Sequence, residues 1–581
     1  MIRLQKKFSN DRVGLLLVVF FIIAFVIAAR LFQLQIIRGD YYSVLASGQY
    51  RLDREILQSR GEIYIYDGDN GNLSPLAINR KLSLVYAVPS EIKNPEYTAD
   101  ILAGILEPKE EFGYELVGKI FDKIKKENDP YEPIWHRAND DQAAAIKAEN
   151  LIGIYFSPEW ERYYPLKEAG AHVSGFLGHS TYKREGQYGI EGYFEDELAG
   201  ESGKLLGAKD VSGIMITIDE EDVKDAEDGD DIILTIDKVV QNKAYEIIAG
   251  ATYDYEAENG SIIVIDPMSG KIKAMASFPS FDPNSYENAG SIESFRNLSV
   301  SETYEPGSIF KVITMAIGLD AGAVEVDDTY FDEGFVKFGQ DTISNAGNKK
   351  FGQVNMTQIL ENSINTGAIH VALLVGSDKF SSYLEDFGFG DIFGSQFFGE
   401  AGGDISSLQK NGEIYLATAA YGQGITVTPL QVVSAMSTIV NNGKFVYPRL
   451  VDYIKRINGE IHYINSDKSG KRIIDEKTAR LVKAMLVSVV KNGHAKKAQV
   501  PGYYIGGKTG TAEIADRLAG GYSNDTNHSF VGFGPLENTR FVIFVKLSKP
   551  KKGIYAESTS VPAFAKMASF LLQYYQIPPE Q

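Results

Sequence analysis

The sequence predicts an α+β fold, and three stretches carry that prediction. Residues 261–266 and 271–276 are apolar runs that flank Pro267-Met268-Ser269-Gly270, the pattern of a hairpin. Residues 352–445 read as mostly helical. Residues 503–505 and 540–545 return to β-branched and aromatic text, and an amphipathic pattern over 562–575 closes the chain. One sheet would carry the first and last of these strands, with a helical part beside it.

Composition sets the outer limits. The chain has 581 residues, room for roughly two to four domains. Its formal net charge is −19, which argues against a nucleic-acid partner, since that would need a basic face. Cysteine is absent, which excludes disulfides, thiolate catalysis and cysteine metal sites together. The seven histidines are scattered without a His-Glu-x-x-His pattern, and His172 and His179 are the closest pair. No metal site is expected at that pair.

The chain opens on a membrane signal. Residues 13–29 carry no charge, and as a helix they span roughly 25 Å. Leu31-Phe32-x-Leu34-x-Ile36-Ile37 extends the run to the width of a bilayer core. About thirteen Leu, Ile, Val or Phe at roughly −0.4 kcal/mol each favour insertion by about 5 kcal/mol. Arg3, Lys6, Lys7 and Arg12 precede it, so the N-terminus is expected to stay cytoplasmic. This gives a cytoplasmic tail at 1–12, a transmembrane helix at 13–34 and a single-pass protein of the cytoplasmic membrane with the rest outside. A cleaved signal peptide is the competing reading, because Val26-Ile27-Ala28 is a tolerable cleavage site; the apolar length favours an anchor.

Residues 35–60 look helical, then extended. From Arg60 to Asn79 the text turns to short strands, with a turn at Asp67-Gly68-Asp69-Asn70-Gly71. Residues 97–150 read as polar helices with solvated faces. Arg162-Tyr163-Tyr164-Pro165 and Gly189-Ile190-Glu191 are dense patches without a nucleophile and base, and 35–225 reads as a scaffold or docking domain. The acidic stretch 219–231 marks a boundary. A strand at 232–236 and a helix at 238–250 open the second domain, 226–581.

Glu305-Pro306-Gly307-Ser308-Ile309-Phe310-Lys311 reads as a nucleophile on the first turn of a helix. Ser308 and Lys311 are three apart and share a helical face. A serine needs a base, and a lysine is one only when neutral. Moving its pKa from about 10.4 to about 7 costs on the order of 4–5 kcal/mol, so burial or a second cation is expected beside Lys311. Ser363-Ile364-Asn365 offers a hydroxyl and a carboxamide that can relay a proton and hold an amine, or a plain helix cap by Ser363. Gly506-Gly507-Lys508-Thr509-Gly510-Thr511 suits a strand that a ligand backbone approaches closely, and Lys508 would be the second cation. From Gly502 to Thr509 the text also fits a phosphate loop, but no buried strand precedes it and Gly510 interrupts the helix that should follow.

Ser308-x-x-Lys311, Ser363-x-Asn365 and Lys508-Thr509-Gly510, in this order, resemble the three signatures of penicillin-binding proteins and serine β-lactamases. Tyr421-Gly422-Gln423-Gly424-Ile425-x-Val427-Thr428-Pro429-Leu430-Gln431 resembles a recurrent transpeptidase segment. Arg60-Gly61-x-Ile63, Arg162-x-Tyr164-Pro165 and Gly189-Ile190-Glu191 resemble the pedestal of class B penicillin-binding proteins, and the layout is closer to division-type than elongation-type members. Ile364, where many β-lactamases carry Asp, fits a penicillin-binding protein better.

The resemblance implies a penicillin-binding transpeptidase domain with a central antiparallel sheet and a helical subdomain, preceded by a pedestal or dimerisation-like domain. It implies D,D-transpeptidation of peptidoglycan stem peptides in septal wall synthesis. Ser308 would attack the D-Ala-D-Ala carbonyl with Lys311 as base, and the N–H groups of Ser308 and Thr511 would form the oxyanion hole. Ser363, positioned by Asn365, would pass a proton to the leaving D-alanine; Lys508, Thr509, Gly510 and Thr511 would hold the terminal carboxylate. An amine from a neighbouring stem peptide would resolve the acyl-enzyme, β-lactams would acylate Ser308, no metal or organic cofactor is needed, and a polytopic membrane glycosyltransferase and other cell-wall machinery are the expected partners. Three alternatives share the motifs: a membrane-anchored β-lactamase, a β-lactam sensor, and a catalytically dead wall scaffold.

Overall fold

The fold is seen in a computed structural model that describes residues 7–33, 51–56, 58–68, 70–107, 113–126, 129–179, 184–209, 215–217, 223–394, 396–464, 470–515 and 521–580. Arg3 and Lys6, the helical reading of 35–50 and the acidic residues 219–222 lie outside the described residues. The chain forms two compact units, Met1–Ser59 with Gly200–Asp228, and Arg60–Ala199 with Gly229–Gln581. In the first unit a helix runs over Lys7–Phe32. Its part Gly14–Phe32 is, among the described residues, the one helix long and apolar enough to cross a membrane. The unit also holds a small antiparallel sheet, in which Gly203–Lys209 pairs with Arg51–Ile56, Met215–Thr217 and Val223–Lys224.

The second unit begins with β1 (Ile63–Tyr66), β2 (Leu73–Ala87), α1 (Pro95–Leu106), α2 (Gly113–Ile124), β3 (Glu132–Ala138) and β4 (Ile154–Tyr163). Strand β3 falls within the stretch expected to be helical. Pro133 bars a helix interior, and Ile134 and Ala138 are buried in a cluster with Val85 and Ala87, so β3 pairs with β2 instead. Strand β4 pairs with β2 from Ile78 to Ala87. Strand β1 also pairs in parallel with β5 (Asp231–Asp237), whose other edge pairs with β10 (Val451–Lys455), so that one sheet takes strands from both ends of this region and from far downstream.

The three patches noted in the sequence meet at one buried carboxylate. Glu191, fully buried, accepts from Arg60 Nε and Arg162 Nε at 2.7 Å each and from the Tyr164 hydroxyl at 3.2 Å. Arg60 also bonds Glu195 at 2.7 Å. Burial alone would push the Glu191 carboxyl up; Arg162 and Arg60 more than offset this and hold it below the usual range.

The second sheet is fully antiparallel, in the order β7 (Ile272–Phe278), β6 (Asn259–Ile265), β13 (Phe541–Ser548), β12 (Tyr522–Gly534), β11 (Gly506–Ala515). The hairpin at 261–276 and the strand at 540–545 are where the sequence puts them. Strand β11 starts later than the expected 503–505. There the Tyr504 N–H donates to the Glu580 carboxylate at 2.8 Å, so the C-terminal tail takes a backbone group that a ladder would use, and the Tyr503 hydroxyl holds the tail by donating to the Ile577 carbonyl at 2.6 Å.

Both faces of this sheet are covered, which is why its strands read as continuous apolar runs. Ile262 and Val264 join one core cluster, with α3 (Lys238–Asp254) and α9 (Ser560–Tyr574). Ile263 and Ile265, on the opposite face, join another with α4 (Lys311–Asp320) and α7 (Pro429–Val440). The helical part includes α5 (Met356–Glu361), α6 (Asn365–Val375) and α8 (Glu476–Asn492). This places α4 against the sheet whose edge strand is β11.

Candidate active site

Ser308 lies in a single 3-10 turn, Gly307–Phe310, that runs directly into α4. The turn is backed by the 421–424 loop: the Gly307 N–H donates to the Gly422 carbonyl at 3.0 Å. Gly307 has φ +56° and Gly422 φ +82°, and a Cβ on Gly422 would come within 2.3 Å of the Gly307 oxygen. Both positions therefore demand glycine. Glu305 adds a second tie, accepting the Gly424 N–H at 3.0 Å and the Tyr522 hydroxyl at 3.3 Å. Burial raises its carboxyl above the ordinary range.

Strand β11 passes the turn on the other side. A Cβ on Gly510 would lie 2.9 Å from the Pro306 carbonyl oxygen and 2.6 Å from Ser529 Oγ, so only glycine lets the strand approach this closely. The strand context also disposes of the phosphate-loop match, because Lys508 sits inside an antiparallel edge strand and no helix follows it.

Four of the predicted side chains meet. Lys311 Nζ lies 3.0 Å from Ser308 Oγ, 2.5 Å from the Ser363 carbonyl oxygen and 3.1 Å from Ser363 Oγ. Lys508 Nζ reaches the same Ser363 Oγ at 3.1 Å, and the Thr509 carbonyl and hydroxyl at 3.2 and 3.4 Å. Both lysines are about 1% exposed. Burial, and then the charge of Lys508, push the Lys311 pKa well below its ordinary value; burial lowers Lys508 to about 7. The desolvation and the second cation that Lys311 requires are both present.

The remaining residues are placed differently from expectation or in more detail. Ser363 does not cap a helix. It sits at φ +54° between α5 and α6, and the N-cap position of α6 is Ile364, which makes no side-chain cap. Asn365 does not bond Ser363: its Nδ2 donates to the Ser344 carbonyl at 3.0 Å, which leaves Oδ1 and a second Nδ2 proton for other partners. Thr511 Oγ1 accepts the Ala556 N–H at 3.2 Å, so its hydroxyl proton is still available to donate. Nothing in the sequence pointed to Ala556, which is 45 residues downstream. Ser308 and Thr511 flank the close approach of turn and strand at Gly510.

Comparison with known proteins agrees with this geometry. Residues 260–569 match the family described as penicillin binding protein transpeptidase domain, and residues 55–234 the family described as penicillin-binding protein dimerisation domain. The chain is 32% identical to Stage V sporulation protein D of Bacillus subtilis, over 91% of this chain and 80% of that protein. It is 30% identical to the peptidoglycan D,D-transpeptidase FtsI homolog of Mesostigma viride, over 99% of this chain and 98% of that one. The solved structure of a peptidoglycan synthetase from Bifidobacterium adolescentis superposes with a TM-score of 0.71 at 25% identity, covering 91% of this chain and 98% of that one.

Proposed function

We propose, from the premise that this chain belongs to the class B penicillin-binding proteins, that it cross-links peptidoglycan stem peptides through an ester on Ser308. The observation that carries the mechanism is the chain of contacts from Ser308 Oγ through Lys311 Nζ and Ser363 Oγ to Lys508 Nζ. A neutral amine has two protons to donate and one lone pair. Lys311 has three contacts: the two Ser363 oxygens take its protons, and its lone pair faces the Ser308 hydroxyl.

In the first half-reaction Ser308 Oγ bonds to the carbonyl carbon between the terminal D-alanines while its proton passes to Lys311. The N–H groups of Ser308 and Thr511 hold the oxyanion. The proton then moves from Lys311 by way of Ser363 Oγ to the leaving nitrogen, the C–N bond breaks, and D-alanine departs. Lys508, the Thr509 hydroxyl and the free proton of the Thr511 hydroxyl hold the substrate's terminal carboxylate. Strand β11 ends its sheet, so its outer edge offers backbone groups to an extended peptide. In the second half-reaction an acceptor amine attacks the ester, its proton leaves by the same relay, and Ser308 recovers its hydroxyl. A β-lactam enters the first step as a cyclic amide and stays as a stable ester.

The apolar helix Gly14–Phe32 is the single-pass anchor in this reading, with the basic residues before it in the cytoplasm and Ser308 outside, where peptidoglycan is. A septal role and a polytopic glycosyltransferase partner complete the proposal, supported by the likeness to a protein named an FtsI homolog. The test is labelled-penicillin acylation of wild type and Ser308→Ala, with mass analysis of cross-linked stem peptides. Wild type forms a stable adduct and dimeric product, and Ser308→Ala forms neither. An adduct that survives Ser308→Ala overturns the nucleophile; rapid turnover of the adduct would make the protein a β-lactamase.

A further inference from the structure

The start of α6 carries Ser363 and Asn365, yet its own residues do not cap it. The cap comes from a different segment, between β8 (Thr329–Asp332) and β9 (Gly352–Asn355). There Asn345 Oδ1 accepts the Thr366 N–H at 3.1 Å. The neighbouring Ser344 carbonyl accepts Asn365 Nδ2 at 3.0 Å. Two consecutive helix residues are thus bonded to two consecutive residues at the end of a remote strand, Asp341–Ser344.

Behind this clamp stands a buried carboxylate. Asp332, 1% exposed, receives the Asn345 Nδ2 group on both oxygens at 3.0 and 2.9 Å and the Thr366 hydroxyl at 2.6 Å. It also accepts the N–H groups of Gly334 and Phe351 at 2.9 and 2.8 Å. None of these donors is cationic. Burial pushes the carboxyl up, but the donors of Thr366, Gly334, Phe351 and Asn345 more than offset it and keep the group ionised. Four donor groups committed to one carboxylate tie Gly334, Asn345, Phe351 and Thr366 into one unit, which calls for a reason.

The reason lies one residue before the clamp. Ser363 is held at φ +54°, a strained conformation for a residue with a Cβ. Its hydroxyl is contacted by both lysines and its carbonyl by Lys311. Without a fixed α6 start, Ser363 could relax and carry its oxygens away from Lys311 and Lys508.

We propose that Asp332 and Asn345 are positioning residues for the transpeptidation reaction, fixing Ser363 against the two lysines through the N-terminus of α6. Neither touches the reacting atoms. The inference rests on Ser363 being the proton relay. Small displacements of a relay group cost rate far more than binding.

Saturation kinetics of fluorescent-penicillin acylation on the full-length protein separate the possibilities. The limiting rate is a property of the folded molecules, whereas unfolding lowers only the amplitude. Asn345→Ala and Asp332→Asn are expected to lower the limiting rate at least tenfold, with the half-saturating penicillin concentration within twofold of wild type. A limiting rate within twofold of wild type in Asn345→Ala, whatever its amplitude, overturns the proposal. Ser363→Ala is measured alongside. A wild-type rate there sinks the relay reading itself, while a slowed Ser363→Ala beside an unslowed Asn345→Ala sinks only the role of the clamp.

Discussion

Replacing Lys508 by Met removes one of two charges that share an oxygen, and the consequence for Lys311 can be worked out. Each Nζ is 3.1 Å from Ser363 Oγ, so the two nitrogens are no more than 6.2 Å apart. At an effective dielectric of about 20, two unit charges at that distance repel by about 2.7 kcal/mol, or about 2 pH units. Lys508→Met relieves this repulsion but leaves the burial of Lys311 in place, so the Lys311 pKa rises by about that amount. The assay is the limiting acylation rate by labelled penicillin as a function of pH, read at saturation so that weaker carboxylate binding does not enter. The acid limb is expected to move up by about 2 pH units, which is about a 100-fold loss at any pH below the wild-type limb, shrinking between the two limbs. An acid limb that stays in place would refute the reasoning. Burial alone would then keep Lys311 neutral, and Lys508 would serve only the substrate.

Two further outcomes follow from close contacts. Gly510→Ala puts a Cβ 2.9 Å from the Pro306 oxygen and 2.6 Å from Ser529 Oγ; β11 must move off the Ser308 turn, and acylation efficiency should fall at least tenfold while calorimetry shows a folded domain. Glu191→Gln leaves Arg60 and Arg162 facing a neutral amide and should destabilise the protein by about 3–5 kcal/mol, seen as a lowered Tm. The Glu191 carboxyl is held below its usual range in the folded state, so its contribution is present above the ordinary carboxylate pKa and is lost as pH falls through the folded value. The Tm gap between Glu191→Gln and wild type should accordingly narrow in acid; a gap independent of pH would mean that the charge of Glu191 is not what stabilises the network.

How much of this was legible in the sequence depended on how local each feature is. Ser308 and Lys311 are one helical turn apart, so their meeting could be read from spacing alone. The need for a second cation followed from the energy of neutralising a lysine, and it pointed to Lys508 before the fold was known. The meeting of Arg60, Arg162 and Glu191 was not legible: the patches stood out, but nothing in their spacing says that they share one carboxylate. Strand β3 was lost in polar text because three of its seven residues are buried, two half-buried and two exposed, too weak an alternation to outweigh the helices around it. Tyr503–Ile505 has strand composition, but the Tyr503 N–H closes a local turn on the Val500 carbonyl and the Tyr504 N–H goes to Glu580 of the tail instead of to a ladder. The placement of Asn365 against Ser344, rather than Ser363, depends on a segment some twenty residues upstream in the chain that carries no motif at all.

Those illegible parts have a common physical character. The reactive groups are short motifs because each must present one functional side chain, whereas the groups that hold them can come from anywhere the fold brings a dipole or a carboxylate. The cost of the arrangement is large. Lys508 has its pKa lowered from 10.5 to about 7, which corresponds to about 5 kcal/mol of lost stability for the protonated, folded state. An unfolded chain would bind that proton up to its ordinary pKa, so the penalty from Lys508 is in full force below about pH 7 and fades as pH climbs from about 7 to about 10.5. The site must work with Lys508 charged, on the unfavourable side of that slope. The fold offsets the burden with a sheet apolar on both faces and strands such as β13, buried along its whole length. A lysine pair of this kind therefore requires a large, rigid core behind it, and the same core is what lets a buried aspartate and an asparagine hold Ser363 in a conformation it would not choose alone.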